Sequence, residues 1–370
     1  MEQVRVMNRP EDYEAHGIDP TTVQQWEDGR RLDSKPGVME NWYFDAIMSN
    51  GTRAVVCFRP RSPKSMTAEG DSPNINIHIT EADGTNFEQF INVPAEDCTL
   101  ARDHCDVTFG PHRFTGDLTD YTIHVEPVDG IGCDLHFHRL VEPYRPGTGY
   151  VAFGNDESKH YTWLCFPKGS VTGTLTYNGA TVEVSGNGYH DHQWHDTNPI
   201  MLIHHWLWGR QSDNDYTVAI IDIVASEAYG FAPASLFTVM GSDGSIVFHN
   251  EGDVTTDVIE SYVEPTTNKR HPKQIRYTYR NSLGTAVYTV RQVEELEVRG
   301  ASNIFLEKNP LVERKFAQMG LDPSYMRCQA IATLELDLAD GTHVEQTGDM
   351  IYEFPYFGKT DPRAHLGEVE

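Results

Sequence analysis

Basic residues are scarce: 29 Lys and Arg stand against 55 Asp and Glu, a formal net charge of −26 over 370 residues. A surface this acidic repels phosphate backbones and anionic headgroups, so nucleic acid and anionic membrane surfaces are not expected partners. Long apolar runs are missing too. None reaches the ~18 residues of a helical membrane span, and Met1, Glu2 and Arg5 open without the apolar core of a secretory signal. The six cysteines (Cys57, Cys98, Cys105, Cys133, Cys165, Cys328) include no CxxC pair. They are expected to be reduced thiols of a cytoplasmic protein rather than a disulfide framework. A disordered composition is also absent, since 39% of residues are hydrophobic and 11% aromatic. Only residues 1–35 read as a polar leader.

What is abundant is strand signal. From residue 40 onward, short runs of Val, Ile, Thr, Tyr and Phe alternate with period two and break at Gly, Asp and Asn. "NINIHITEADGTNFEQFINV" and "VTFGPHRFTGDLTDYTIHVEPVDGIGCDLHFHRL" carry DG turns, and "SVTGTLTYNGATVEVSG" turns at Asn178-Gly179. The second half resumes with "YTVAIIDIVA", "QIRYTYRNSLGTAVYTVRQVEEL" and "CQAIATLELDLADGTHVEQTGDMIYEF". The pattern predicts an all-β chain of antiparallel strands, with barrel closure as the usual way to hide so many edges. One short helical insertion is predicted at "PLVERKFAQMG", with Pro310 near its start and Gly320 just past its end. The length suggests two domains or one large β architecture. The turn cluster Asp196-Thr-Asn-Pro199 places a boundary between an N-terminal domain, 36–198, and a C-terminal one, 199–370.

Chemistry concentrates in "GYHDHQWHDTNP" (Gly188–Pro199) and "HHWLWGR" (His204–Arg210). In an extended chain His190, His192 and Trp194 share one face, and Tyr189, Asp191, Gln193 and His195 share the other. The same rule groups Trp206, Trp208 and Arg210, a set that suits a cavity wall better than an ordinary core. Asp222 interrupts the apolar strand "YTVAIIDIVAS"; desolvation there raises the pKa of a carboxyl and favours the protonated acid. Blander readings stand beside these. The histidines could satisfy inter-strand hydrogen bonds, the tryptophans could be core packing, and Asp222 could pair with Arg210. A metal centre could combine His190 and His192 with His136 and His138 of "LHFH", but no cysteine or carboxylate stands at an established motif spacing, so no metal is expected.

Several of these motifs resemble one known group. "ENWYFDA" (Glu40–Ala46) is similar to the EWWYF opening of the carotenoid 1,2-hydratase/AttH-like family, "GNGYHDHQWH" to its GxGYxDHxWG segment, and "WLWGR" to its WxWGR. "TGDMIYEF" resembles its closing strand, so the likeness spans roughly residues 36–356. The family includes hydratases of acyclic carotenoids, kievitone hydratase and fungal decalin-forming Diels–Alderases. The resemblance implies two tandem lipocalin-like antiparallel β-barrel domains with an apolar cavity, and chemistry that needs no nicotinamide or flavin cofactor. It makes His192 and Trp194 the His and Trp of the DHxW segment, and Asp222, by spacing, the hydratases' proton donor. Two departures stand out. Ile220 replaces an aromatic residue two positions before that acid, and His195 replaces the glycine after the tryptophan.

Together these readings lead to an expected cofactor-free hydratase or isomerase/cyclase acting on an unsaturated apolar or phenolic small molecule. Asp222, His192 and Trp194 are its expected catalytic residues, and His190, Tyr189, Trp206, Trp208, Arg210 and Trp42 its expected substrate contacts. Asp222 donates a proton, Trp194 with Trp206 or Trp208 faces the developing cation, and His192 handles the nucleophile. The rivals are a pericyclase that only folds its substrate, a lipocalin-like carrier, and a zinc hydrolase. Homo-oligomer formation stays open.

Overall fold

The structure, a computed structural model, describes residues 4–62, 69–212, 215–250, 252–304 and 309–359. Strands form where side chains alternate. Ile75, Ile77 and Ile79 are fully buried, while Asn76 and His78 between them are half-buried. Ala330, Ala332, Leu334 and Leu336 repeat the pattern in the second half, burying one face of a pleated strand. Asn178 and Gly179 adopt φ of 50° and 75°, the left-handed pair that a two-residue hairpin turn requires. The helix Pro310–Gln318 also forms as expected. Asn309 Oδ1 caps it by accepting from the Leu311 amide, and Gly320 leaves it at φ 77°.

Among the described residues, one compact unit holds 7–151 and 159–198; the other holds 199–359 with 4–6 and 152–158. The first is built on an eleven-stranded antiparallel sheet in which Met39–Met48 pairs with Ala180–His195, register His195↔Met39 to Gly186↔Met48. The sheet curls strongly. Phe58 and Phe109 lie on its third and tenth strands, yet their ring centroids are 5.5 Å apart. The concave side is the hydrophobic core, with Trp42, Phe44, Phe114, Tyr121, Phe137 and Phe166 among its large members. Gly188 lets strands approach there: a Cβ at this position would lie 2.6 Å from Val171 Cγ2.

The segment read from composition as a polar leader is drawn into this unit from residue 7 onward. It contains the helix Pro10–His16 and a 3₁₀ turn, Gln25–Asp28, whose Glu27 and Asp28 are buried. Arg145 holds that turn: its Nε donates to Glu27 Oε2 at 2.6 Å, and its other nitrogens reach the carbonyls of Asp19, Thr22 and Gly147.

The second unit is a nine-stranded antiparallel sheet running Ile246–Asn250, Pro233–Met240, Thr217–Ala225, Ile203–Gln211, His343–Tyr356, Ser324–Leu338, Gly284–Arg299, Lys269–Asn281, Val254–Glu264. It curls as well, because Phe237 on its second strand stacks on Tyr279 of its eighth at 4.2 Å. Each sheet is a half-barrel, and the all-β, lipocalin-like expectation holds.

Candidate functional site

The strand Ala180–His195 splits its side chains as the period-two rule requires. His190, His192 and Trp194 face the core of the first half-barrel, 0%, 0% and 3% exposed. The Gln25–Asp28 turn meets them there. Asp28 Oδ2 accepts from Tyr121 Oη at 2.7 Å and lies 3.4 Å from His190 Nε2, while Oδ1 lies 3.5 Å from His192 Nδ1. His190 also bonds the Tyr43 carbonyl through Nδ1 at 2.8 Å; His192 reaches the Glu27 carbonyl at 3.2 Å and Glu40 Oε1 at 3.1 Å. Glu40 in turn accepts from the Arg31 and Leu32 amides. Trp42 stacks on His192 at 4.4 Å and donates its indole N–H to the Asp28 carbonyl at 2.9 Å. Trp194 donates to Tyr150 Oη at 3.0 Å and packs beside His192.

Burial by itself would push the Asp28 carboxyl up. The two histidines and the Tyr121 hydroxyl outweigh it and hold the group below its usual range. The result is a desolvated His–Asp–His–Glu chain in which all four ring nitrogens face protein acceptors. For His192 to act on a small molecule, it would have to leave Glu40 or the Glu27 carbonyl.

Tyr189 stands on the opposite side of this strand, so it does not join His190 and His192. Its hydroxyl accepts from Trp163 Nε1 at 3.0 Å and donates to Asp191 Oδ2 at 2.7 Å, and Gln193 Nε2 reaches the same oxygen at 3.0 Å. Burial raises Asp191 to about 7 despite those bonds. His195 stacks on Tyr161 at 4.4 Å and accepts from the Thr162 amide at 3.2 Å; burial lowers it to about 3, so it is neutral. His195 therefore packs as a buried aromatic where the resembling family keeps glycine.

In the second unit, Asp222 pairs across strands with Leu207 on one side and Ser235 on the other. Leu207 belongs to the core, so Asp222 points inward with Val218 and Ile220. Tyr277 Oη donates to its Oδ2 at 3.0 Å, and Ser235 Oγ lies 3.0 Å from Tyr279 Oη. Desolvation lifts Asp222 to about 6, opposed by the Tyr277 bond. The residue as a whole is half-buried. Asp222 is therefore a desolvated carboxyl on the inner face of this sheet, held by the Tyr277 hydroxyl.

The same register turns Trp206, Trp208 and Arg210 to the other face, opposite Ile223, Ile221 and Ala219. These three do share a face, as expected, but Asp222 does not share it. The cavity wall expected from Asp222 with Trp206 or Trp208 is therefore not formed within this sheet, and neither is an Asp222–Arg210 pair. Trp206 lies against Phe357 at 5.4 Å, and Arg210 Nη1 donates to Ser212 Oγ at 2.8 Å. His136 and His138 are separated from His190 and His192 as well: their side chains are 52% and 47% exposed, both beside Asp120. Among the described residues no group of three His, Cys, Asp or Glu is placed to hold a metal.

Asp28, Glu40, Tyr277 and Ser235 were not singled out from the sequence. Glu40 opens the quoted "ENWYFDA" motif, and Tyr277 and Tyr279 alternate in "QIRYTYRN", so both carried a signal. Asp28, in the polar stretch "QQWEDGRR", carried none.

Comparison with known proteins agrees with this architecture. Among solved structures the fold is similar to an AttH-like protein of Nitrosomonas europaea, with TM-score 0.60 and 13% identity over 91% of this chain and 98% of that one. It is also similar to kievitone hydratase of Nectria haematococca, with TM-score 0.54 and 13% identity over 91% and 94%. CghA, solved with Sch210972, gives TM-score 0.56 and 14% identity over 91% and 97%. At such identities the likeness is one of fold. A curated relative, the ceramide-binding protein svf1 of Schizosaccharomyces pombe, is 23% identical over 150 residues, which is 40% of this chain and 39% of that protein. A family model described as Diels-Alderase-like matches residues 30–292, most of the chain. The protein belongs to the Diels-Alderase-like family.

Proposed function

We propose that this protein is a cofactor-free hydratase or isomerase/cyclase that uses acid–base chemistry on an unsaturated apolar or phenolic small molecule, with Asp222 as the acid. The observation that carries this reading is Asp222 itself. It is a desolvated carboxyl with one oxygen held by Tyr277, on the inner face of a sheet whose core also presents Phe237, Tyr279 and Tyr288. Near neutral pH a useful fraction of such a group is protonated, and proton transfer from it is worth about 10²–10⁴-fold in rate. The proton passes to one carbon of a C=C bond, and aromatic faces stabilise the cation formed at the other. Water, or a hydroxyl of the substrate, bonds to that carbon and returns its proton to the Asp222 carboxylate. Atoms balance, and the acid is regenerated.

The His192–Asp28–Glu40 chain and Trp194 form a second polar centre in the other unit. Their proposed contribution is tested separately through His192→Ala. Incubation with a panel of unsaturated terpenoid, polyketide and flavonoid compounds, followed by mass and chiral analysis, tests the function. A product altered by +18 mass units, or an isomer, is expected from the native protein and is expected to be lost with Asp222→Asn. Full turnover by Asp222→Asn and His192→Ala alike would leave a pericyclase that works by shape.

The ceramide-binding relative favours a second reading, a carrier that binds an apolar ligand and changes nothing. Recovery of every compound unchanged, with some of them retained on the protein, would select it.

A further inference from the structure

In the second half-barrel, two strands along from Asp222 and so about 10 Å across the sheet, the core changes character. Thr217–Ala225 is followed by Ile203–Gln211 and then His343–Tyr356, whose Phe354 and Tyr356 pack against His271 at 5.1 and 5.7 Å. Tyr262 pairs directly with His271 across strands, and its ring lies 6.2 Å away. Gln292 joins through Tyr262, donating Nε2 to the Tyr262 hydroxyl at 2.9 Å. That hydroxyl spends its single proton on Glu295 Oε1, at 2.5 Å. The Gln292 amide can therefore face Tyr262 only through its nitrogen, which turns Oε1 away.

Two polar atoms of this cluster, Gln292 Oε1 and His271 Nδ1, are shut off from solvent and bond to no protein atom. Their residues are 9% and 1% exposed. Buried polar atoms are rarely left this way, because water's hydrogen bonds are lost and nothing replaces them. Gln292 Oε1 is an acceptor, so its missing partner is a donor. Burial, reinforced by Lys269, holds His271 at about 4, so the ring is neutral and Nδ1 can donate or accept. A hydroxyl is a small group that meets both demands, giving its one proton to the amide oxygen and accepting from the imidazole N–H in the tautomer that carries its proton on Nδ1.

We infer that Gln292 and His271 form a head-group subsite for a hydroxyl, so that the second half-barrel takes a hydroxyl-bearing amphiphile with its apolar body along the Phe354 side toward Asp222. The inference rests on the proposed placing of substrate in this half-barrel. It adds the polarity and orientation of the molecule.

A matched pair of probes tests it: 1-decanol and its methyl ether, titrated calorimetrically into the full-length protein below their solubility limits. The native protein is expected to bind the alcohol about tenfold tighter, the equivalent of one to two net hydrogen bonds. Gln292→Met and His271→Phe keep the volume and are each expected to erase most of that preference while leaving ether affinity within about twofold, the range of a volume-conserving apolar swap. Equal affinity of the native protein for the two probes, binding of neither, or a preference that survives both substitutions would overturn the inference. The native comparison stands even if a variant does not fold. Because the readout is binding, its failure is separable from that of the proposed chemistry. Alcohol preference without turnover would sink the catalytic reading and keep the subsite; turnover without preference would sink the subsite alone.

Discussion

Burial gives Asp222 a property that an exposed carboxyl lacks: it keeps its proton until about pH 6. Tyr277 is the counterweight, since its hydroxyl bonds the ionised form and so pulls the value down. Tyr277→Phe is expected to raise the pKa of Asp222 by about half to one unit and to carry the alkaline limb of activity upward with it. Carboxyl ¹³C titration by NMR checks this directly. Asp191 supplies a second residue-scale test, on stability. Its folded-state value of about 7 lies above the ordinary 3.8, so the folded protein holds a proton that the unfolded chain releases. Its contribution is therefore most favourable below about pH 4 and is lost as pH rises to 7. Asp191→Asn keeps acceptors for Tyr189 and Gln193 without the charge. Relative to the native protein it is expected to gain about 2–4 kcal/mol between pH 4 and 8, read from urea unfolding at several pH values. A pH-independent difference would contradict the assignment.

At the scale of elements, the Gln25–Asp28 turn shows how a polar loop can shape a β interior. It delivers Asp28 between two histidines, and Arg145 secures it through Glu27, which burial pushes above its ordinary range against the pull of the guanidinium. Both partners are almost wholly buried, with side chains 5% and 2% exposed. Arg145→Ala leaves Glu27 uncompensated and is expected to cost about 3–5 kcal/mol. The pair Arg145→Met with Glu27→Leu is expected to recover most of that loss, because replacing a buried ion pair by packed apolar groups is often near neutral. Equilibrium unfolding of the single and double variants measures the difference. A double variant as weak as the single would mean that the turn depends on the backbone carbonyls bound by Arg145 rather than on the ion pair.

At the scale of the molecule, the readable and unreadable parts of the structure divide along physical lines. Period-two burial made the strands legible, as at Ile75, Ile77 and Ile79, and local chemistry made the Asn178-Gly179 turn and the Pro310–Gln318 helix legible. Face-sharing within one strand was legible too: His190, His192 and Trp194 do point together. What did not follow was anything set by pairing between distant segments. Whether Asp222 faces Trp208 or turns from it depends on the Leu207↔Asp222 register, which no single strand encodes. The Asp28 contact depends on a loop folding back by more than 150 residues in sequence, and loop polarity hides it.

The central claim is that Asp222 supplies the proton. Its most direct test is the pH dependence of turnover, from pH 5 to 8, by the native protein and Asp222→Asn on whichever unsaturated compound the panel shows to be transformed. Native turnover is expected to fall about tenfold per pH unit above pH 6, with the Asn variant lower by about 10²–10⁴-fold and flat across the range. Turnover by Asp222→Asn close to native, with the same pH profile, would contradict it.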